Sequence, residues 1–206
     1  MVMEGVLTPT ECEAMIEWSE EKGYESLERE YPVAYRNNDR VLIKSEAVAG
    51  VIYSRVKHLL PARASWTARS KDWEVRNLSG HVRRTPRPPL RAQAVGLNEM
   101  FRMCRYNASG GHFNGHCDGH FRRSRNEQSF VTFMMYLNDV PEGGCTRFRT
   151  EREYSAETDI GVTATVRPAP GKALVFAHNI FHDGEPVRHK KYLMRSDIMY
   201  RAPGDA

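Results

Sequence analysis

With 206 residues and a formal net charge of +4, the chain is long enough for one domain with a substantial core and too short for two of ordinary size. Its 40% hydrophobic and 27% charged residues exclude a disordered or fibrous chain, and no apolar run reaches the roughly 20 residues that a membrane-spanning helix needs. Met1 to Gly5 shows no basic stretch followed by apolar residues, so a cytoplasmic or nuclear location without membrane association is expected.

In chain order, Thr8-Pro9-Thr10-Glu11 is a capping box with proline at the first helical position. Cys12, Met15, Ile16 and Ser19 follow at helical spacing up to Gly23. Arg40 to Lys44 reads as a short strand. Ser45 opens a second helix, with Val48, Val51, Ile52, Val56, Leu59 and Leu60 on one face and Pro61 as its stop. From Ala62 to Val95 the periodicity fades into polar, basic and proline-containing sequence, read as long loops with one strand at Trp73 to Val75; they are either lids or binding loops, or an insertion with no role. Arg63, Arg69, Arg76, Arg83, Arg84, Arg87 and Arg91 crowd this stretch. They form either a solvated basic loop or a docking surface for an acidic peptide or a nucleic acid.

The second half changes character. Phe101 to Tyr106, Phe130 to Asn138, Cys145 to Phe148, Val162 to Arg167, Ala173 to Phe176 and Tyr192 to Tyr200 are short segments rich in β-branched, aromatic and methionine residues, and glycine or proline clusters bound most of them. Many short strands after two helices predict an α+β, mainly β fold: an antiparallel barrel or jelly roll with helices packed outside. The expected organisation is one domain over 1–206, with helical support in 1–61, variable loops in 62–98 and the β core in 99–202. Cys12, Cys104, Cys117 and Cys145 lack the paired spacing of zinc or redox sites and read as reduced thiols.

The densest chemistry lies between Gly111 and His120. His112, His116 and His120 recur every four residues, which on a helix would suggest zinc, but Gly110, Gly111, Gly115 and Gly119 argue against a helix there. On an extended segment the period is two, so His116 and Asp118 point the same way while Cys117 turns aside. His182, just after the strand at Ala173 to Phe176, is the candidate third ligand. Two imidazoles and one carboxylate on one face of an ion leave the opposite face open, the arrangement of non-haem iron(II) oxygenases. The alternative is that His116 and His182 are hydrogen-bonded histidines of the core or surface. If 2-oxoglutarate is the co-substrate, a fixed cation must meet its far carboxylate. Lys191 and Arg195, four apart on one strand face, are the two candidates.

Leu7-Thr8-Pro9-Thr10-Glu11-Cys12, Arg36-Asn37-Asn38-Asp39-Arg40, Gly96-Leu97-Asn98 and Phe101-Arg102-Met103-Cys104-Arg105-Tyr106 precede Gly115-His116-Cys117-Asp118-Gly119. Tyr136-Leu137-Asn138, Gly143-Gly144-Cys145-Thr146-Arg147-Phe148, His182-Asp183-Gly184-Glu185-Pro186-Val187 and Lys191-Tyr192-Leu193-Met194-Arg195-Ser196-Asp197 follow it. With these motifs the chain resembles, nearly from end to end, the prolyl 4-hydroxylase-like branch of the iron(II)/2-oxoglutarate-dependent dioxygenases.

The resemblance implies a double-stranded β-helix, with iron(II) on His116, Asp118 and His182 and Lys191 on the distal carboxylate of 2-oxoglutarate. Arg195 stays a competitor, because the segment between Pro186 and Lys191 is one residue shorter than in many relatives and lacks their glycine. Tyr106 and Tyr136 match tyrosines that hydrogen-bond the co-substrate, or else they pack. Asp183 stands where glutamate is common, a change expected to matter little. The implied activity hydroxylates an unactivated C–H bond with O2, and with ascorbate as a further cofactor. Its expected target is a prolyl or other side chain of a protein or peptide. Arg122, Arg123 and Arg147 would lie near the barrel mouth, either facing solvent or contacting an acidic substrate.

Nucleic-acid demethylation and hydroxylation of a small metabolite are alternatives of the same chemistry. A non-catalytic metal-binding interaction module using His112, His116, Cys117 and His120 is the alternative of another class.

Overall fold

The computed structural model describes residues 1–66, 73–75, 90–150 and 158–203. Among the described residues, two helices, α1 (Pro9–Lys22) and α2 (Glu46–Val56), stand with fifteen strands. The early strands are β1 (Val2–Met3), β2 (Glu25–Ser26), β3 (Arg36–Asn37), β4 (Asp39–Lys44), β5 (Arg63–Trp66), β6 (Trp73–Val75), β7 (Leu90–Leu97) and β8 (Met100–Tyr106). The later ones are β9 (His112–His116), β10 (Glu127–Tyr136), β11 (Thr146–Arg149), β12 (Val162–Val166), β13 (Ala173–Ala177), β14 (His182–Gly184) and β15 (Lys191–Arg201).

Helix α1 starts as its sequence predicts: the Glu11 N–H donates to Thr8 Oγ1 at 3.2 Å while the Thr8 N–H donates to Glu11 Oε2 at 2.9 Å. It ends at Gly23, whose φ of 79° suits glycine. Helix α2 is shorter than predicted and stops at Val56, and only part of its predicted apolar face is inward. Ala49, Ile52 and Val56 are buried, whereas Val51 and Leu59 are 51% and 50% exposed. Val51 lies about 100° around the helix from Ile52 and so misses the core, and Leu59 falls beyond the last helical turn.

The strands form two antiparallel sheets. The larger runs β1-β13-β10-β15-β7-β5-β6, with β8 on β15, β4 on β8 and β2 on β4; the smaller runs β12-β11-β14-β9-β3. Strand β15 organises the larger sheet: β10 lies along one edge, while β8 and then β7 share the other. Strands β5 and β7 stand where the sequence predicts loops. Their pattern is weak because β5 has only four residues and the apolar positions of β7 are largely alanine and glycine rather than β-branched or aromatic.

Strand periodicity then divides the larger sheet into two faces. Phe101, Met103, Phe133, Met135, Val175, Met194 and Ile198 pack against Cys12, Ala49, Ile52 and Val56 on the helix side. Cys104, Tyr106, Met134, Tyr136, Leu174, Phe176 and Leu193 point the other way and meet Phe113 and Phe148 of the smaller sheet. Both faces of β10 and β13 are therefore buried, which explains their near-continuous apolar runs. The fold is a double-stranded β-helix, or jelly roll, with the helices outside, as predicted.

Candidate active site

Between the two sheets lies a cavity of about 180 Å³ whose lining includes His116, Asp118, Thr132, His182, Lys191 and Arg195. His116 ends β9 and His182 opens β14, and these two residues are register partners across the antiparallel pair. Asp118 lies just past β9, where its N–H donates to the His178 carbonyl at 2.8 Å. Asp118 therefore turns to the same side as His116, as alternation predicts, although it lies outside the strand.

One donor atom each from His116, Asp118 and His182 lies within 4.8 Å of the other two. His116 Nδ1 is 2.8 Å from the Asn114 carbonyl and His182 Nδ1 is 2.9 Å from the Ile180 carbonyl. A carbonyl can only accept, so each Nδ1 carries the proton and each Nε2 lone pair is left to point inward. The two Nε2 atoms lie 3.7 and 3.9 Å from the Asp118 carboxylate oxygens. Phe113 stacks on His116 at 3.6 Å between ring centroids, and Phe176 meets His182 edge-on at 4.5 Å, which holds both rings.

The electrostatics keep all three in metal-binding form. Burial lowers both imidazole pKa values, and that of His116 falls to about 3 with His182 beside it, so the rings stay neutral. For Asp118, burial works against the charge, but the Arg195 guanidinium first and the Thr132 hydroxyl with it outweigh burial and hold the carboxyl well below the usual range. Arg195 Nη2 lies 3.1 Å from Asp118 Oδ1 and donates to Asp197 Oδ1 at 3.2 Å. Two neutral imidazoles and an ionised carboxylate are a donor set suited to iron(II).

Lys191 faces the same cavity. It is 1% exposed, its Nζ donates to the Gly144 carbonyl at 2.6 Å, and it makes no ion pair among the described residues. Burial lowers its pKa to about 8. The Tyr106 and Tyr136 rings flank the ammonium at 5.1 and 5.5 Å. Tyr106 lines the cavity, whereas the Tyr136 hydroxyl donates to Thr146 Oγ1 at 2.6 Å and acts one residue behind the wall. Gly144 adopts φ of 71°, and a Cβ there would lie 3.0 Å from Val140 and Val187 side-chain atoms, so the carbonyl that meets Lys191 depends on glycine.

Other predicted residues lie elsewhere. Arg147 does not face solvent: it is 3% exposed, with Nε and Nη2 on Asp183 at 3.0 and 2.9 Å and Nη1 on Asp159 at 3.2 Å. Arg149 Nε donates to the same carboxylate at 2.8 Å. Asp183, the aspartate that stands where glutamate is common, is thus the fully buried counter-ion of two arginines. Arg122 is exposed and donates to the Ser124 carbonyl at 3.2 Å, and Arg123 pairs with Glu99 and Glu127. His112 meets the Gly110 and Ala34 carbonyls, His120 the Ser129 carbonyl, and Cys117 the Asn179 carbonyl. These three do not join a donor cluster among the described residues, which removes the geometry for the local zinc module. Arg69, Arg76, Arg83, Arg84 and Arg87 lie outside the described residues.

Sequence reasoning missed Thr132, Thr146 and His178. The available signal was a polar residue inside an apolar strand run, as with Thr132 in Phe130-Val131-Thr132-Phe133-Met134.

Residues 101–196 match the family model of the 2OG-Fe(II) oxygenase superfamily. The part of the β core that carries the site is therefore similar to that superfamily. Iron(II), 2-oxoglutarate and O2 are the cofactor and co-substrates that this match implies, and the matched segment contains the whole donor set. No curated protein matches this chain in sequence. Solved structures share its fold at low identity. A viral collagen prolyl hydroxylase from Paramecium Bursaria Chlorella virus-1, in complex with 2OG, is 17% identical with a TM-score of 0.56, covering 98% of this chain and 96% of that one. A Pseudomonas putida prolyl-4-hydroxylase gives 14% and 0.59, with 99% and 92% covered. A Trichoplax adhaerens prolyl hydroxylase, in complex with a hypoxia inducible factor oxygen degradation domain peptide fragment, gives 15% and 0.61, with 98% and 83% covered. No helix among the described residues is long and apolar enough to cross a membrane.

Proposed function

We propose that this chain hydroxylates a side chain of a protein or peptide, with proline as the first candidate. Iron(II) would be held by His116 Nε2, Asp118 and His182 Nε2, and the distal carboxylate of 2-oxoglutarate by Lys191. The observation that carries the reading is a single cavity that joins this donor set to a buried ammonium. When bound, iron(II) supplies activation of O2 coupled to oxidative decarboxylation of 2-oxoglutarate to succinate and carbon dioxide.

The chain's own residues supply the rest. Lys191 offers a cation without a counter-ion among the described residues, so an incoming carboxylate relieves its desolvation. Arg195 is already committed to Asp118 and Asp197, which favours Lys191 as the anchor. About 13 Å of strand separates the two residues at roughly 3.3 Å per residue, room for a short dicarboxylate between anchor and donor set. Tyr106, Thr146 and, through it, Tyr136 shape that end. Burial raises both phenol pKa values, so each tyrosine stays a proton donor.

A peptide substrate is favoured over nucleic acid because prolyl hydroxylases share the fold, one with a bound peptide fragment. The test is succinate release with iron(II), 2-oxoglutarate, ascorbate and a library of proline-containing peptides. Peptide-stimulated turnover with one added oxygen atom in the product is expected; no stimulation across the library contradicts the prolyl assignment.

A further inference from the structure

We propose that Thr132 and His178 position Asp118: a directed chain of hydrogen bonds runs from Ser129 through His178 and Thr132 and ends on the Asp118 carboxylate. The proposal rests on the reading of Asp118 as a metal ligand.

A bulge makes the chain possible. Ser129 and Thr132 are three residues apart on β10, and a regular strand would send them to opposite faces. The register of β10 against β15 shifts between Ser129 and Val131, and the consecutive residues Phe130 and Val131 both join the helix-side core. The extra residue brings Ser129 to the side of Thr132. The fully buried imidazole of His178 then bridges them, with Nδ1 2.9 Å from Thr132 Oγ1 and Nε2 3.0 Å from Ser129 Oγ.

Proton placement follows from donor counting. Asp118, ionised beside Arg195, only accepts, so the single hydroxyl proton of Thr132 goes to Asp118 Oδ2. Thr132 Oγ1 then accepts from His178 Nδ1–H, and His178 Nε2 is left to accept from the Ser129 hydroxyl. Ser129 Oγ in turn accepts the Phe121 N–H at 2.8 Å. Every donor in this run has an acceptor, and the run has one direction. The main chain repeats the connection: the His178 N–H donates to the Phe130 carbonyl at 3.0 Å, and the His178 carbonyl accepts the Asp118 N–H at 2.8 Å. One residue thus fixes both the backbone and, through Thr132, the carboxylate of Asp118. Outer hydrogen-bond partners of metal ligands are typically worth 10–100-fold in metal affinity.

The test is anaerobic titration of Co(II) into the wild-type chain and into Thr132→Val, Thr132→Ser and Ser129→Ala. Thr132→Val keeps the shape and removes the donor. It should weaken Co(II) binding roughly ten- to a hundredfold and alter the ligand-field absorption. Thr132→Ser should restore both, and Ser129→Ala should have a smaller effect of the same sign. Thermal unfolding of the metal-free proteins separates positioning from folding: a lower midpoint for Thr132→Val with unchanged Co(II) affinity and spectrum overturns the proposal. Loss of affinity that Thr132→Ser does not restore overturns it as well. A wild-type chain that binds no Co(II) overturns the metal-ligand reading itself.

Discussion

Lys191 Nζ meets the carbonyl oxygen of Gly144 at 2.6 Å inside the cavity, and this neutral acceptor is a poor substitute for a counter-ion. Replacing Lys191 with methionine should therefore have opposite effects on binding and folding. A hydrogen bond to a charged group contributes about 1.5–3 kcal/mol, so the KM for 2-oxoglutarate should rise roughly ten- to a hundredfold while Co(II) affinity changes little. The metal-free variant should unfold at a higher temperature, because an uncompensated buried charge has been removed. Steady-state kinetics and thermal melts on one preparation check both. Arg195→Met should instead weaken metal binding, since its guanidinium lies against Asp118.

The pH dependence has a definite sign. Burial brings the Lys191 pKa from an ordinary 10.5 to about 8, so the free enzyme loses the ammonium as pH rises through about 8. Affinity for 2-oxoglutarate should fall over that range, and Lys191→Met should flatten the profile. Stability moves the other way: between about 8 and 10.5 the unfolded chain binds the extra proton, so this group's contribution to stability rises with pH there. KM and denaturant midpoints measured at a series of pH values check the pair of trends.

Asp118→Ala and His182→Ala should each abolish metal binding, whereas His112→Ala and His120→Ala should leave it within a few-fold of wild type. Metal content of anaerobically loaded protein distinguishes these outcomes. Retention of metal by both Asp118→Ala and His182→Ala would return the local histidine cluster to contention.

Asp183→Ala leaves Arg147 and Arg149, whose side chains are 4% and 0% exposed, without their shared carboxylate. Breaking a buried ion pair by removing one partner costs about 3–5 kcal/mol. Urea unfolding should show a loss of that size, while the exposed Arg122→Ala should change stability by less than about 0.5 kcal/mol.

Much of this was legible in the sequence for identifiable physical reasons. Capping chemistry is local, so Thr8 and Ser45 announced both helix starts. Strand alternation is also local, so Lys191 and Arg195 were placed on one face and His116 and Asp118 on one side of an extended segment. Tertiary choices were not legible. The inward face of α2 is selected by the sheet it packs on, which left Val51 in solvent. Arg147 looked like a surface cation because nothing in its neighbourhood reveals that Asp183, 36 residues on, would bury it. His178 was passed over because its partners Ser129 and Thr132 face it only through a bulge, and a bulge has no signature in a run of apolar residues. Strands β5 and β7 take their conformation from pairing with the strands on either side of them rather than from their own composition.

A crystal structure of the chain grown anaerobically with Mn(II) and 2-oxoglutarate tests the central claim most directly. The expected result is one ion bound by His116 Nε2, Asp118 and His182 Nε2, with the keto acid reaching from that ion to Lys191. An ion held without His182, or a distal carboxylate lying away from Lys191, would contradict it.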